Sequence, residues 1–296
     1  MGRVCHNTWM RWSSWICLVL WAAAAAGCNS DGPTGPTPSD GLAYSAIGAS
    51  DGIGFGGSVP CVPFDPECPN GTGYVYVLKR RLQSDGRTVA LSNRAVPGAV
   101  LSPAIQGLAR NVGSDIVANF LDQEAPFIAN DSTHVTIFAG GNDANVIARN
   151  VRAGLAGSDV RGFIDQHVNQ WGSDLTELIR RVRTRAPGSR IVALNLPNLA
   201  AAPYANGMTI QERSVLQRIA VTLTDRVNAL TSQNVLVVDL MCDARVYEPG
   251  RFSSDGFHPN DQGYALMADL SYPALVNGSA ATPSSSCPQR TLLPVF

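Results

Sequence analysis

The stretch His134-Val135-Thr136-Ile137-Phe138-Ala139-Gly140-Gly141-Asn142-Asp143 decides how this chain folds. Its first six residues are branched, aromatic and small, and they form a short continuous run rather than a strict alternation, which suits a strand buried on both faces. The run ends in two glycines, and the apolar spacing over residues 144–153 is helical. A buried strand that turns directly into a helix is the opening of a parallel βαβ unit.

The same pattern recurs in both directions. Strands are expected at residues 43–49, 88–92, 190–196 and 235–240 as well as 134–139. Helices are expected at 74–83, 115–124, 144–153, 160–185, 210–232 and 261–275, with Pro187-Gly188 stopping the fourth. No repeat of fixed period is visible. Alternation of this kind implies one five-stranded parallel sheet with right-handed crossovers and helices on both faces, a three-layer α/β/α fold of the flavodoxin-like kind. In such sheets ligands sit at the carboxyl ends of the strands.

Length and composition agree. The 296 residues, 45% of them hydrophobic, suffice for one domain with a substantial core. With 22 basic against 23 acidic residues, the formal net charge of -1 provides no footprint for a nucleic acid or an anionic lipid surface.

The N-terminus reads as an export signal over residues 1–27. Arg3 and Arg11 make a basic start, residues 15–26 an apolar run too short to span a bilayer, and Ala24-Ala25-Ala26-Gly27 a small-residue cleavage region. Small residues followed by Gly27-Cys28 resemble the lipobox of bacterial lipoproteins, although Ala25 stands where that motif more often has Leu. The resemblance implies a lipid on Cys28 and a membrane-anchored protein facing the periplasm or cell surface. Ordinary secretory cleavage is the other reading. Residues 28–40 then form a polar, Pro/Gly-rich tether, 41–278 the folded domain, and 279–296 a tail. Outside the signal and Cys28, four cysteines remain for an oxidising compartment. Pairing Cys61 with Cys68 and Cys242 with Cys287 is preferred among the three possibilities, because the second pair would pin the tail back. No Cys-x-x-Cys or Cys/His spacing suggests a metal.

Four places at the predicted strand ends carry chemistry. After the first strand, Gly48-Ala49-Ser50-Asp51-Gly52 puts a serine in a glycine-rich turn; by itself that is more often a plain loop. After the second, Pro97-Gly98 offers a backbone N–H. After the third, Asn142 supplies an uncharged donor for a developing oxyanion, while Asp143 is expected to cap the following helix. After the fifth, Asp255-Gly256-Phe257-His258-Pro259 spaces a carboxylate to reach Nδ1 of an imidazole and leave Nε2 free as a base. His134 opens an apolar strand, and His167 is expected on a solvated helix face.

These blocks, in this order, resemble those of the SGNH (GDSL-like) hydrolases, over about residues 41–276. One departure is clear: the family's first block usually reads Gly-Asp-Ser, whereas here Ala49 precedes the serine and the acid is Asp51. The resemblance implies a serine esterase with Ser50 as nucleophile, His258 as base and Asp255 as its orienting acid. Its oxyanion hole would be built from the Ser50 and Gly98 N–H groups and the Asn142 amide. It implies no cofactor or metal. The expected partner is a small carboxylic ester, from a short-chain lipid or an acetylated glycan, with membrane contact only through the lipid anchor; the protein is expected to be monomeric. A non-enzymatic surface lipoprotein binding glycan or protein on the same scaffold is the alternative.

Overall fold

The computed structural model describes residues 41–294. The signal, Cys28 and the tether lie outside the described residues.

Strands β1 (Gly41–Ile47), β2 (Thr88–Asn93), β3 (His134–Phe138), β4 (Arg190–Leu194) and β5 (Leu236–Val238) form one sheet in the order β2-β1-β3-β4-β5. Every neighbouring pair is parallel. The chain leaves β1 towards one edge and returns through β3 to build the other. The switch point therefore falls between β1 and β3, where a doubly wound sheet opens a crevice at its carboxyl ends.

Between the strands lie α1 (Ser50–Ile53), α2 (Tyr74–Ser84), α3 (Pro103–Arg110), α4 (Gly141–Arg152), α5 (Val160–Arg185), α6 (Ile210–Asn228) and α7 (Asp261–Asn277). Helices α2 and α7 cover one face, where Tyr44, Ala46, Val192, Leu194 and Val238 pack with Tyr74, Leu78 and Tyr264. The α3 to α6 layer covers the other, where Ile47, Val135, Ile137, Ile191 and Val237 pack with Trp171, Leu178 and Leu223. Burial on both faces is why the strands read as continuous apolar runs. Each fully buried aliphatic or aromatic side chain contributes roughly 1.5–3 kcal/mol relative to exposure, so the two-sided sheet dominates stability.

One expected element is corrected. Residues 115–124 do not form an α-helix. Gly113 adopts φ 68, Val117 is 79% exposed, and Val100 bridges to Asn119 in extended backbone. Only Phe120–Glu124 winds, as a π-helical turn in which the Asn119 side chain accepts the Asp122 N–H. The helix of this region is α3, started by Pro103 after Ser102; Gly107 in its middle dilutes the apolar signal. Strand ends shift by one or two residues, and the helix expected at 144–153 begins earlier, at Gly141.

Both preferred disulfides are present, Cys61–Cys68 and Cys242–Cys287, with Cα atoms 6.0 Å and 5.7 Å apart. The tail packs back as expected. Ser284 N–H donates to Asp239 Oδ2 at 2.8 Å, and Leu293 N–H donates to the Gln217 side chain at 2.7 Å.

Candidate active site

β1 runs out of ladder partners after Ile47, and the chain turns through Gly48 and Ala49 into α1, whose first residue is Ser50. As the first residue of a helix, Ser50 has a backbone N–H without an intrahelical acceptor. Ser50 is 5% exposed. Ser50 Oγ lies 2.9 Å from Nε2 of His258.

His258 sits on the loop joining the end of the sheet to α7. Asp255 Oδ2 lies 2.6 Å from its Nδ1. The other oxygen, Oδ1, accepts from Ser253 Oγ at 2.7 Å, Phe257 N at 2.8 Å and His258 N at 2.9 Å. Partial burial alone would raise the Asp255 pKa. The hydrogen bonds from the His258 ring and backbone, Ser253 and Phe257 outweigh it and hold the carboxyl well below the usual range. An ionised carboxylate facing Nδ1 assigns the ring proton to that nitrogen and leaves Nε2 to accept from Ser50.

The loop is held from several sides. Ser253 N–H donates to His258 C=O at 2.8 Å, and the Asn260 amide donates to Gly250 C=O at 2.8 Å and Phe252 C=O at 3.1 Å. Asn260 Oδ1 also caps α7. Gly256 has φ 70, and a Cβ there would fall 2.7 Å from Tyr204 N. Only glycine fits so tight a left-handed turn. The imidazole is flanked by Phe55 and Phe257, with ring centroids at 4.7 Å and 4.9 Å.

Asn142 lies in the first turn of α4 and shares a small cleft with Ser50, Ala99 and Phe120. One of its amide protons goes to Ala99 C=O at 2.9 Å, leaving the second for the cleft. Gly98 occupies the turn closed by Ala99 N–H to Val96 C=O at 3.0 Å, with φ 77 after Pro97. That order of Pro and Gly suits a type II turn. Gly98 is exposed and lines a groove that adjoins the Ser50 cleft, with Asn142 common to both.

Asp143 does not cap α4, as the sequence suggested. Gly140 holds the cap position without a side-chain bond, and Asp143 turns inward so that Oδ1 accepts Leu101 N–H at 2.8 Å. Burial pushes its carboxyl up to about 6, against the Leu101 bond and nearby backbone N–H groups. Asp51 is half-buried between the cleft and a neighbouring apolar cavity, and burial raises its pKa. His167 is half-buried against Phe163, ring centroids 4.4 Å apart, rather than on a freely solvated face.

The model of the GDSL-like lipase/acylhydrolase family matches residues 51–266. The chain belongs to this family. It is accordingly a carboxylic ester hydrolase. The match begins immediately after Ser50, where Gly48-Ala49-Ser50 departs from the usual first block of GDSL-like enzymes. Among solved structures, the lipase Lip_vut3 from a goat rumen metagenome is similar, with TM-score 0.54 and 17% identity over 79% of this chain and 97% of that one. An extracellular lipase from Streptomyces rimosus is similar with TM-score 0.52 and 16% identity, over 80% of this chain and 100% of that one. At these identities the likeness is one of fold. No curated protein matches the chain in sequence.

Two residues of this GDSL-like site, Ser253 and Glu124, were not singled out from the sequence. Glu124 is fully buried and its Oε2 accepts Gly48 N–H at 2.9 Å. Ser253, two positions before Asp255, was the more accessible of the two to sequence reasoning, since short polar side chains often bond to loop neighbours.

Proposed function

We propose that Ser50, His258 and Asp255 act as a catalytic triad and hydrolyse a carboxylic ester through an acyl-enzyme. The observation that carries this reading is the unbroken contact from Ser50 Oγ to Nε2 at 2.9 Å and from Nδ1 to Asp255 at 2.6 Å. Ser50 Oγ attacks the ester carbonyl while Nε2 takes its proton, and the imidazolium then protonates the departing alcohol. A water that gives its proton to Nε2 attacks the acyl-enzyme, and the acid leaves as Ser50 recovers its proton. Asp255 stays ionised throughout and stabilises the imidazolium. The tetrahedral oxyanion is met by the Ser50 and Gly98 N–H groups and the free Asn142 proton; each such donor is typically worth about 10²–10³ in turnover.

The substrate is a small-acyl ester, from a short-chain lipid or an acetylated carbohydrate. Supporting this, the apolar cavity beside the Ser50 cleft is lined by Leu196, Leu240, Leu266 and Met267 and shares Asp51, Phe138, Gly141 and Phe257 with it. The decisive experiment is a p-nitrophenyl ester series from acetyl to palmitoyl, with fluorophosphonate labelling, on the parent protein and Ser50→Ala. Turnover should be greatest for the short chains, and both turnover and labelling should vanish in the variant. Full labelling of Ser50→Ala would remove Ser50 as nucleophile, and a palmitoyl optimum would overturn the small-acyl assignment. A parent protein that neither turns over nor labels would favour the binding-protein alternative.

A further inference from the structure

Four hydrogen bonds run in series through the loops at the strand ends. Glu124 Oε2 accepts Gly48 N–H at 2.9 Å, and Gly48 C=O accepts Val96 N–H at 3.2 Å. Val96 C=O accepts Ala99 N–H at 3.0 Å, and Ala99 C=O accepts the Asn142 amide at 2.9 Å. The chain passes each of the three groups assigned above to the oxyanion: Ser50 lies two residues beyond Gly48, Gly98 sits inside the turn 96–99, and Asn142 is its end. We propose that Glu124 is a positioning residue that sets the spacing of these three donors; the proposal rests on the esterase reading of the Ser50 site.

Gly48 needs such a partner. The ladder between β1 and β3 ends at Ile47, so the next N–H has no strand to donate to, and it is buried beside the nucleophile's turn. Without a side-chain acceptor that N–H would be left unpaired or would rotate, taking the Gly48 carbonyl and the Val96 turn with it. Glu124 reaches Gly48 because residues Phe120–Glu124 wind as a π-turn, closed by Ala125 N–H to Phe120 C=O. Such turns are rare and concentrate at functional sites. The same turn places Phe120 in the wall of the Ser50 cleft.

Packing alone explains the carboxyl poorly. Glu124 is completely buried, and its second oxygen, Oε1, has no hydrogen-bond partner among the described residues. An aliphatic side chain would fill the space with no desolvation cost, so what the carboxyl adds is the acceptor aimed at Gly48. Burial drives its pKa well above the ordinary value, against the Gly48 and Val96 N–H groups. Glutamine has the same shape and presents the same acceptor.

The test compares Glu124→Ala, Glu124→Gln and Glu124→Asp with the parent protein on p-nitrophenyl acetate, with fluorophosphonate labelling followed to completion. For Glu124→Ala, kcat should fall about 10- to 100-fold, as expected when oxyanion donors drift by a fraction of an ångström, with KM held within about twofold. Every molecule should still label, but more slowly by a similar factor. Glu124→Gln should restore most of the lost rate. Glu124→Asp, one methylene too short to reach Gly48, should remain slow. Wild-type labelling rates in Glu124→Ala, a kcat loss that merely tracks an unlabelled fraction, or a Gln variant as slow as Ala would each overturn the proposal. Should the Ala variant fail to fold, the Gln and Asp pair decides: a fast Gln with a slow Asp upholds the proposal, and equal rates end it. A parent protein inactive in both assays would instead bring down the esterase reading, and this proposal with it.

Discussion

Asp255 makes four contacts through two oxygens, and that division separates orientation from charge. Oδ1 is saturated by Ser253, Phe257 N and His258 N, while Oδ2 is reserved for the imidazole. Because these donors hold its pKa below the usual carboxylate range, Asp255 stays ionised as pH falls through that range. The pH profile of kcat/KM should therefore carry no step from Asp255 within the usual carboxylate range; a step there that Asp255→Asn abolishes would show the carboxylate titrating. Asp255→Asn should lower kcat by about 10²–10⁴, because an amide facing Nδ1 favours the wrong tautomer. Asparagine at full activity would deny the carboxylate its orienting role.

At the scale of elements, the site is assembled beyond the ends of β1, β2 and β3 and just before α7. The first turn of α4 shows how local rules yield to packing: Asp143 has the position and chemistry of a helix-start residue, yet it turns away to meet Leu101 N–H in the loop after β2. That bond fastens the loop carrying Gly98 to the helix carrying Asn142. Its cost appears in the titration. The Asp143 pKa is 3.8 in an unperturbed chain and about 6 in the fold, so the folded state holds a proton that the unfolded chain releases. The group's contribution to stability is thus full below the lower value and is lost as pH rises through the window to the upper one. Asp143→Asn retains an acceptor for Leu101 and removes the titration. The Tm of the parent should decline relative to the variant between pH 4 and pH 7; parallel curves would place the Asp143 carboxyl elsewhere.

For the molecule as a whole, the two disulfides close loops of different length, and their effects should differ accordingly. Cys61–Cys68 spans 7 positions and staples the loop that follows Phe55, whereas Cys242–Cys287 spans 45 and ties the tail to the end of β5. On chain-entropy grounds the longer closure stabilises by about 4 kcal/mol and the shorter by about 2 kcal/mol. Cys242→Ser/Cys287→Ser should therefore show the larger drop in denaturation midpoint, while Cys61→Ser/Cys68→Ser should weigh more on kcat, because Phe55 packs on His258. Equal midpoints for the two double variants would remove loop closure as the source of the difference.

The βα alternation, the parallel sheet, Ser50 at the first strand end and the Asp255-x-x-His258 pair were all legible in the sequence. Each is announced by a local pattern, where periodicity, a glycine turn or a three-residue spacing leaves few alternatives. Pairing of the four cysteines matches the preferred reading, in which Cys242–Cys287 pins the tail back. Helix α3 was not legible, because it is only eight residues long and carries Gly107 within it, and the stretch after Gly113 has helical spacing but is drawn out by its bridge to Val100. Only the tertiary structure decided where Glu124, Asp143 and Phe55 point. Glu124 meets Gly48 across 76 positions of sequence because a strand ladder ends there and leaves a buried N–H to be paired. Such a demand exists only once the sheet has formed, so no local pattern encodes the residue that answers it.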